Sequence, residues 1–283
     1  MAEIKPAGSY RPLAPGAVAS ARECNIRNAA LVQHFPLFAN IPPADCREIV
    51  SVAREGEFLR RDTIFLQGDP IRQVILLTSG SAKIMQLSQN GAEVILRLAG
   101  PGELVGIAGR PAERHHSSMV ALSACTALVW EVRAFQALVE RSPALWGNIL
   151  KATTQRLQEL EERYREISTE KVATRLGLQL LRLFNQVGHR VNGNGTLKVN
   201  LSREELAQLI GTTFFTVSRL LCAWSERGLL TAGREWVSVH SIRALREFAE
   251  NGVNDSEATP LTGFSCLEED NHESELQPVF NEG

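Results

Sequence analysis

LSREELAQLIGTTFFTVSRLLCAW, residues 201–224, has the pattern of two short helices joined by a tight turn. Ser202 and Glu205 have the spacing of a capping box, in which each side chain accepts a hydrogen bond from the backbone N–H of the other residue. Gly211 stands where the turn requires a positive φ, and Thr213 can cap the second helix. This pattern predicts a helix-turn-helix, whose second helix lies in the major groove of DNA.

The outward side of the second predicted helix carries the side chains that would read DNA. The guanidinium of Arg219 matches the O6 and N7 acceptors of guanine, and the ring of Phe215 can contact a thymine methyl. Threonines near the start of the helix can bind phosphates, where the helix dipole also favours anions. In the alternative interpretation, Phe214 and Phe215 pack on a neighbouring element. The predicted DNA-contacting residues are Ser202, Arg203, Thr212, Thr213, Phe214, Phe215, Thr216, Ser218 and Arg219.

Residues 57–133 consist of short runs rich in Val, Ile, Leu and Thr, each ending in a turn sequence. Asn90-Gly91 is the strongest hairpin signal, because both positions of the favoured tight turn need a positive φ. Regularly spaced strands of this kind predict a small antiparallel barrel or roll. A hairpin or wing is predicted after the helix-turn-helix, at GLLTAGREWVSVHS (residues 228–241).

Ser142-Pro143 opens a long helix whose seam residues recur every three or four positions. The outer faces are charged and include Arg156 and Arg163. Because polar groups cover nearly all of the helix except the seam, the pattern favours a two-stranded dimerisation helix. A helix that lies on its own domain is the alternative. The seam residues are Trp146, Leu150, Thr153, Leu157, Leu160, Tyr164 and Ile167.

The composition, with 44% hydrophobic and 22% charged residues, is ordinary for a globular protein. No apolar run approaches the ~18 residues that span a bilayer, and prolines interrupt any signal-peptide core, so we expect a cytoplasmic protein with no membrane partner. The five cysteines are scattered, which indicates reduced thiols. No spacing of nucleophile and base, phosphate loop or metal ligands stands out, so we expect neither an enzyme nor a metal site.

The formal net charge of −2 is distributed unevenly along the chain. Residues 251–283 contain eight acidic residues and no Lys or Arg, so they carry −8 and leave +6 on residues 1–250. An acidic stretch of low hydrophobicity predicts disorder, whereas a mildly basic remainder suits nucleic acid.

Deleting residues 251–283 is expected to raise the affinity for random DNA at low salt, because the acidic tail would compete with phosphates for the basic part of the chain. The measurement is a titration of a random duplex at low and at high salt, where screening should shrink the difference. A tail of equal length with its acids replaced by amides should behave like the deletion. Unchanged low-salt affinity would show that the tail has no such role.

The roll with turns at QGDP and PGELVG, the long heptad helix and the segment REELAQLIG…TVSRLL together resemble the Crp/Fnr superfamily of bacterial transcription regulators. The resemblance covers roughly residues 31–250 and implies an α+β fold. The parts it implies are a flexible segment 1–27, a cyclic-nucleotide-binding-like β-roll sensor domain 28–142, a dimerisation helix 143–168, a winged helix-turn-helix 169–250 and a disordered acidic tail 251–283. It also implies a homodimer that binds palindromic double-stranded DNA, with RNA polymerase as a further partner and an effector sensed by the N-terminal domain.

The chain departs from the family pattern in the DNA-reading helix. Family members commonly place Glu three residues before the Ser-Arg pair, where this chain has Phe215. Phe214 replaces an Arg of some members. Phe215 cannot accept the cytosine amino hydrogen that Glu would accept, so the usual sequence preference of the family does not carry over.

A second departure concerns the effector pocket, which the resemblance places at Gly106, Ile107, His115, His116 and Ser117. Ile107 stands where cyclic-AMP binders have a Glu for the ribose. His116-Ser117 stands where they have Arg-Ser for the cyclic phosphate. A histidine binds a cyclic phosphate more weakly than a bidentate arginine does, so this replacement disfavours cyclic AMP as the effector.

Two other cofactors occur in the family. Cys24 and Cys46 are too far apart for an N-terminal cysteine cluster, which disfavours an iron–sulfur centre. Haem remains a candidate cofactor, because His34, His115 or His116 could ligate its iron. The identity of the effector is left unknown by these residues.

Two functions from different classes fit the sequence. The first is a dimeric, effector-controlled transcription regulator that binds specific DNA. The alternative is a ligand-sensing or assembly protein whose helix-turn-helix no longer reads specific DNA, and it is motivated by the two phenylalanines.

Overall fold

The computed structural model describes residues 11–12, 21–107, 113–187, 189–191 and 196–250. The predicted acidic tail and most of the predicted flexible N-terminal segment fall outside these residues. Helix α1 (Ala21–Val32) begins inside that segment. A long-range contact holds this helix, because the side chains of Cys24 and Asn28 donate to the carboxylate of Glu55.

The middle of the chain forms the predicted roll of antiparallel strands. Its strands are β1 (Arg11–Pro12), β2 (Arg54–Phe58), β3 (Thr63–Phe65), β4 (Gln73–Ser79), β5 (Ala82–Leu87), β6 (Glu93–Ala99), β7 (Leu104–Val105), β8 (Ser118–Ala121) and β9 (Cys125–Glu131). They form two sheets, in the orders β1-β2-β9-β4-β7 and β3-β8-β5-β6. Side chains alternate along a strand, so Ile75 and Leu77 of β4 lie inside the roll. Val74 and Leu76 pack instead with α2 (Pro43–Ser51) and α3 (Val132–Arg141).

The hairpin predicted at Asn90-Gly91 joins β5 to β6, but the predicted turn type is wrong. Gly91 takes a positive φ of 82°, whereas Asn90 does not. The turn is longer than two residues: the Ser88 N–H donates to the Ala92 carbonyl (2.9 Å), and the Gly91 N–H donates to the Ser88 carbonyl (3.0 Å). The Ser88 hydroxyl donates to the side-chain oxygen of Asn90, a local bond that favours this turn.

Helix α4 (Pro143–Thr169) is the longest helix in the described parts of the chain. Its start is the predicted one, since the Ser142 hydroxyl accepts from the Leu145 N–H (3.4 Å) and Pro143 occupies the first turn. Leu145 and Ile149 are buried against the roll. Further along, buried Glu166 accepts hydrogen bonds from Arg182 through both carboxylate oxygens, which fixes the end of α4 to the next helix.

The C-terminal part is the predicted winged helix-turn-helix. Its elements are α5 (Val172–Val187), β10 (His189–Val191), β11 (Thr196–Val199), α6 (Arg203–Ile210), α7 (Phe214–Glu226), β12 (Leu230–Ala232), β13 (Val237–Val239) and α8 (Ile242–Glu250). The strands form one antiparallel sheet in the order β10-β11-β13-β12. Leu176, Leu180, Leu206, Val217 and Trp224 are fully buried in its core. The α+β fold class is therefore confirmed.

The helix-turn-helix packs directly on the roll. Ile95 and Leu98 of β6, with Leu122, belong to the same apolar core as α5, α6 and α7. Next to this core, the ammonium of Lys83 on β5 lies 3.0 Å from the carboxylate of Glu205 on α6. The two parts of the chain thus share a continuous interface with both apolar and ionic contacts.

No single helix in the described residues is long and apolar enough to cross a membrane. Helices α6 and α7 meet that length and composition only as a pair, and they are bent by 111°.

Candidate nucleic-acid interface and effector cavity

The turn between α6 and α7 has the predicted local geometry. The Ser202 hydroxyl accepts from the Glu205 N–H (3.2 Å), and the Glu205 carboxylate accepts from the Ser202 N–H (3.0 Å). Gly211 takes a left-handed φ of 66°, and the Thr213 hydroxyl accepts from the Thr216 N–H (3.3 Å). These contacts begin and end the helices at fixed residues, so they set the direction in which α7 leaves the turn.

The capping carboxylate is also an electrostatic element of the interface with the roll. Burial raises the pKa of Glu205, but hydrogen bonds from Ser202 and the charge of Lys83 outweigh burial and lower the pKa below its ordinary value. A lowered pKa favours the ionised carboxylate. Its contribution to stability is therefore present above the ordinary pKa and is lost as the pH falls through the pKa of the folded state.

The side of α7 that faces away from the core carries Arg219 and an exposed aromatic pair. Phe215 is 75% exposed and Phe214 is 41% exposed. Their rings contact each other edge to face, with centroids 5.7 Å apart. The structure contradicts the alternative in which both rings pack on a neighbouring element. Arg219 is exposed, and Ser218 and Thr212 are half-buried.

Arg203 is a predicted DNA contact that the structure does not bring to this surface. Its side chain is buried, with 9% of the residue exposed, and its guanidinium donates to the Ala232 carbonyl (3.5 Å) of β12. In this position the guanidinium faces the wing, and a DNA contact by Arg203 stays a prediction. The sequence could not show this, because the partner lies 29 residues further along the chain.

The wing adds basic residues that sequence reasoning missed. Arg234 is exposed in the turn between β12 and β13. Lys198 lies over the ring of Trp236, with its ammonium 4.4 Å from the ring centroid. That ring packs on Gly233, where a Cβ would collide with it. The available signal was the sequence GREW inside the predicted hairpin, which makes Arg234 an additional candidate for a phosphate contact.

The predicted seam of α4 is exposed in the single chain. Its six large apolar side chains are 49–74% exposed, and Thr153 is exposed as well. The six are Trp146, Leu150, Leu157, Leu160, Tyr164 and Ile167. A continuous exposed apolar stripe of this length is typical of a protein–protein interface.

A cavity of about 530 Å³ lies between the roll, α4 and α5. The structure brings all five predicted pocket residues to its wall, namely Gly106, Ile107, His115, His116 and Ser117. Gly106 has a φ of 75°, and a Cβ at this position would collide with the Gln73 carbonyl. Leu157 and Leu160 of the seam line the cavity too. The cavity therefore adjoins the surface on which a second chain would pack.

His115 and His116 differ in their surroundings. The ring of His115 stacks on Phe65 with centroids 3.8 Å apart. Burial lowers the pKa of His115, and the carboxylate of Asp69 acts in the opposite direction. His116 is exposed at the cavity wall, whereas His34 does not line the cavity. In the described residues no three His, Cys, Asp or Glu side chains are grouped as metal ligands.

Arginines supplied by the helices also line this cavity. Arg156 and Arg163 come from α4 and Arg182 comes from α5, while Arg97 comes from β6. Arg97 and Arg156 share the carboxylate of Glu103. The heptad pattern assigns Arg156 and Arg163 to the outer face of α4, but it does not show that the roll covers this face.

Two family models match the chain. A cyclic nucleotide-binding domain matches residues 55–142, and a Crp-like helix-turn-helix domain matches residues 174–248. Among curated relatives, the cyclic AMP receptor protein of Thermus thermophilus is 31% identical over 215 residues, which cover 76% of this chain and 96% of the relative.

Solved structures share the fold. FixK2 of Bradyrhizobium japonicum has a TM-score of 0.61 at 19% identity, covering 69% of this chain and 96% of FixK2. The c-di-GMP responsive global regulator CLP of Xanthomonas campestris also has a TM-score of 0.61, at 21% identity, covering 71% of this chain and all of CLP. Because both family models match it and the Thermus thermophilus relative is 31% identical over 96% of its length, this chain belongs to the Crp/Fnr family of transcription regulators.

Proposed function

We propose that this regulator binds a palindromic DNA site as a homodimer, under the control of an effector that occupies the cavity between the roll and α4. The observation that carries the proposal is the combination of two exposed surfaces on one chain. One is the apolar seam of α4, and the other is the side of α7 with Phe215 and Arg219. A two-fold axis along α4 would present two copies of α7 to successive half-sites of a duplex.

Two residues of the cavity support the expectation that cyclic AMP bound in the family's manner is disfavoured. Ile107 offers no carboxylate for a ribose, and it is exposed. The backbone carbonyl of His116 accepts from Gln86 (2.9 Å), and the imidazole of His116 supplies no bidentate cation at the position of the family arginine.

Haem is the cofactor that the histidines leave open. A neutral imidazole is the form that ligates iron, and the lowered pKa of His115 favours that form. The absorption spectrum of the purified protein tests this directly, because a Soret band would indicate haem and its loss in His115→Ala would assign the ligand.

Selection of bound fragments from a random pool of DNA tests the proposed function as a whole. An enriched sequence with two-fold symmetry, recovered with a dimeric protein, is the expected result. Recovery of no preferred sequence would favour the second candidate, a ligand-sensing or assembly protein whose helix-turn-helix has lost specific readout. The exposed aromatic pair on α7 is the observation that favours this candidate, since exposed rings also serve protein–protein contacts.

A further inference from the structure

Arg163 connects the effector cavity to the helix-turn-helix. Its side chain lines the cavity, and its guanidinium donates to two backbone carbonyls that belong to different parts of the chain. One is the Leu96 carbonyl on β6 of the roll, and the other is the Leu209 carbonyl on α6, at 2.8 Å. Arg163 therefore joins the roll, α4 and the first helix of the helix-turn-helix.

Arg163 differs from the other helix arginines of the cavity in its pairing with carboxylates. Arg182 has the carboxylate of Glu166, and Arg97 and Arg156 share Glu103, whereas no ion pair of Arg163 occurs among the described residues. Burial lowers the pKa of Arg163, and the nearby charge of Arg182 lowers it further, while Glu166 and Glu159 act in the opposite direction. An anion that entered the cavity would be a stronger acceptor than a neutral carbonyl.

The remaining wall defines the rest of such a ligand. Phe65, Ile71, Ile84 and Leu98 also line the cavity and provide apolar surface. A cavity of about 530 Å³ lined by both apolar side chains and arginines suits a small organic molecule with an apolar body and one anionic group.

Further ionic contacts hold the helix-turn-helix on the roll. Lys83 contacts the capping carboxylate Glu205 of α6. Glu235 at the wing lies between Arg60 (2.8 Å) and Arg61 (3.1 Å) of the roll. The contacts of Glu235 are exposed and therefore individually weak, whereas the Lys83–Glu205 pair and the shared apolar core are largely buried. Release of the Leu209 contact therefore shifts the balance between the docked and the released helix-turn-helix without removing the other contacts.

We infer that the effector is a small organic carboxylate or phosphate that takes the guanidinium of Arg163 away from the Leu209 carbonyl and so releases α6 from the roll. This inference rests on the proposed function, because it assigns the ligand class and the coupling of that same cavity. An anion stabilises the released state only if it binds that state more tightly. In this inference Arg163 supplies the difference, because Nη1 and Nη2, which hold the Leu96 and Leu209 carbonyls, are also the nitrogens of a bidentate pair with a carboxylate or phosphate.

The test uses the full chain and two dyes of similar shape, anionic 8-anilinonaphthalene-1-sulfonate and neutral N-phenyl-1-naphthylamine. Arg163→Gln should weaken binding of the anionic dye about 10-fold or more, as expected for loss of a charged hydrogen-bond donor, and should leave the neutral dye unaffected. Arg165→Gln is the matched control, since Arg165 is an exposed arginine of the same helix. Arg163→Lys keeps the charge but cannot span two carbonyls, so its affinity for the anionic dye should lie between those of the wild type and Arg163→Gln. This variant replaces Arg163→Gln in the test if the latter does not fold.

Hydrogen exchange of residues 203–210 reports the coupling. The anionic dye should speed exchange of α6 in the wild type and in Arg165→Gln, whereas α6 of Arg163→Gln should exchange fast with or without dye. Any of three results would overturn the inference. The anionic dye binds wild type and Arg163→Gln with equal affinity, it does not bind at all, or it leaves the hydrogen exchange of α6 in the wild type unchanged. These readouts need no DNA. A failed DNA selection with intact coupling would thus reject the proposed function alone.

Discussion

Replacing Leu157 and Leu160 together with Asp is expected to convert the protein into a monomer. Both side chains are more than half exposed in the single chain and lie on one stripe of α4. In a two-stranded interface the change removes four leucines and inserts four charges. At about 1.5–3 kcal/mol for each buried leucine, the dissociation constant of the dimer should rise by on the order of 10⁴-fold or more.

Sedimentation velocity over a range of protein concentrations measures this change. A matched control is the double variant Gln155→Asp and Gln158→Asp, which adds the same charge to exposed polar positions of the same helix outside the seam. The control should stay dimeric. An unchanged dimer for the seam variant would mean that α4 is not the dimer interface. The six exposed apolar side chains of α4 would then need another explanation.

Loss of the dimer should carry through to DNA binding. A monomer reaches one half-site only, so affinity for a palindrome should fall to that of a half-site, while preference for bases within the half-site is kept. This separates the seam from the recognition surface, because a defect in α7 would change base preference without changing the mass of the particle.

Local sequence rules were sufficient for the elements whose determinants are close together in the chain. The capping box at Ser202 and Glu205 and the left-handed Gly211 involve residues at most a few positions apart, so the helix-turn-helix is predicted correctly. The seam of α4 is likewise visible as a periodicity. The boundaries predicted for the domains stay predictions. The roll and the helix-turn-helix share one apolar core, so the packing marks no sharp division between them.

Tertiary contacts determined what the sequence could not show. Arg203 looks like any surface arginine at a helix start, and only the position of β12 reveals that it is buried. Arg163 looks like an outer-face charge of a heptad helix, and only the packing of α4 on β6 and α6 makes it part of the cavity. The pocket residues of the roll were predicted from a family resemblance, whereas the helix residues that complete the cavity have no motif.

The preference for bases should depend on Arg219 and Phe215. Arg219→Ala is expected to cost about 1–3 kcal/mol per half-site and to relax the preference for a guanine at one position, because the guanidinium bonds O6 and N7 together. Phe215→Glu should move the preference at its position from a T·A towards a C·G pair, because a carboxylate accepts from the cytosine amino group and gains nothing from a methyl. Both side chains are exposed, so neither change should disturb the fold.

Selection from random DNA with wild type and both variants decides whether α7 reads bases. Arg243→Ala is a suitable control, since Arg243 is an exposed arginine on α8 that pairs with Glu247. Its loss should at most lower affinity for all sequences alike, with a shallower dependence on salt. Phe215→Leu should keep part of the preference for thymine, because an apolar contact to the methyl remains. If wild type, Arg219→Ala and Phe215→Glu all recover the same sequence, then the exposed side of α7 does not read bases, and its aromatic pair is better explained as a contact for another protein.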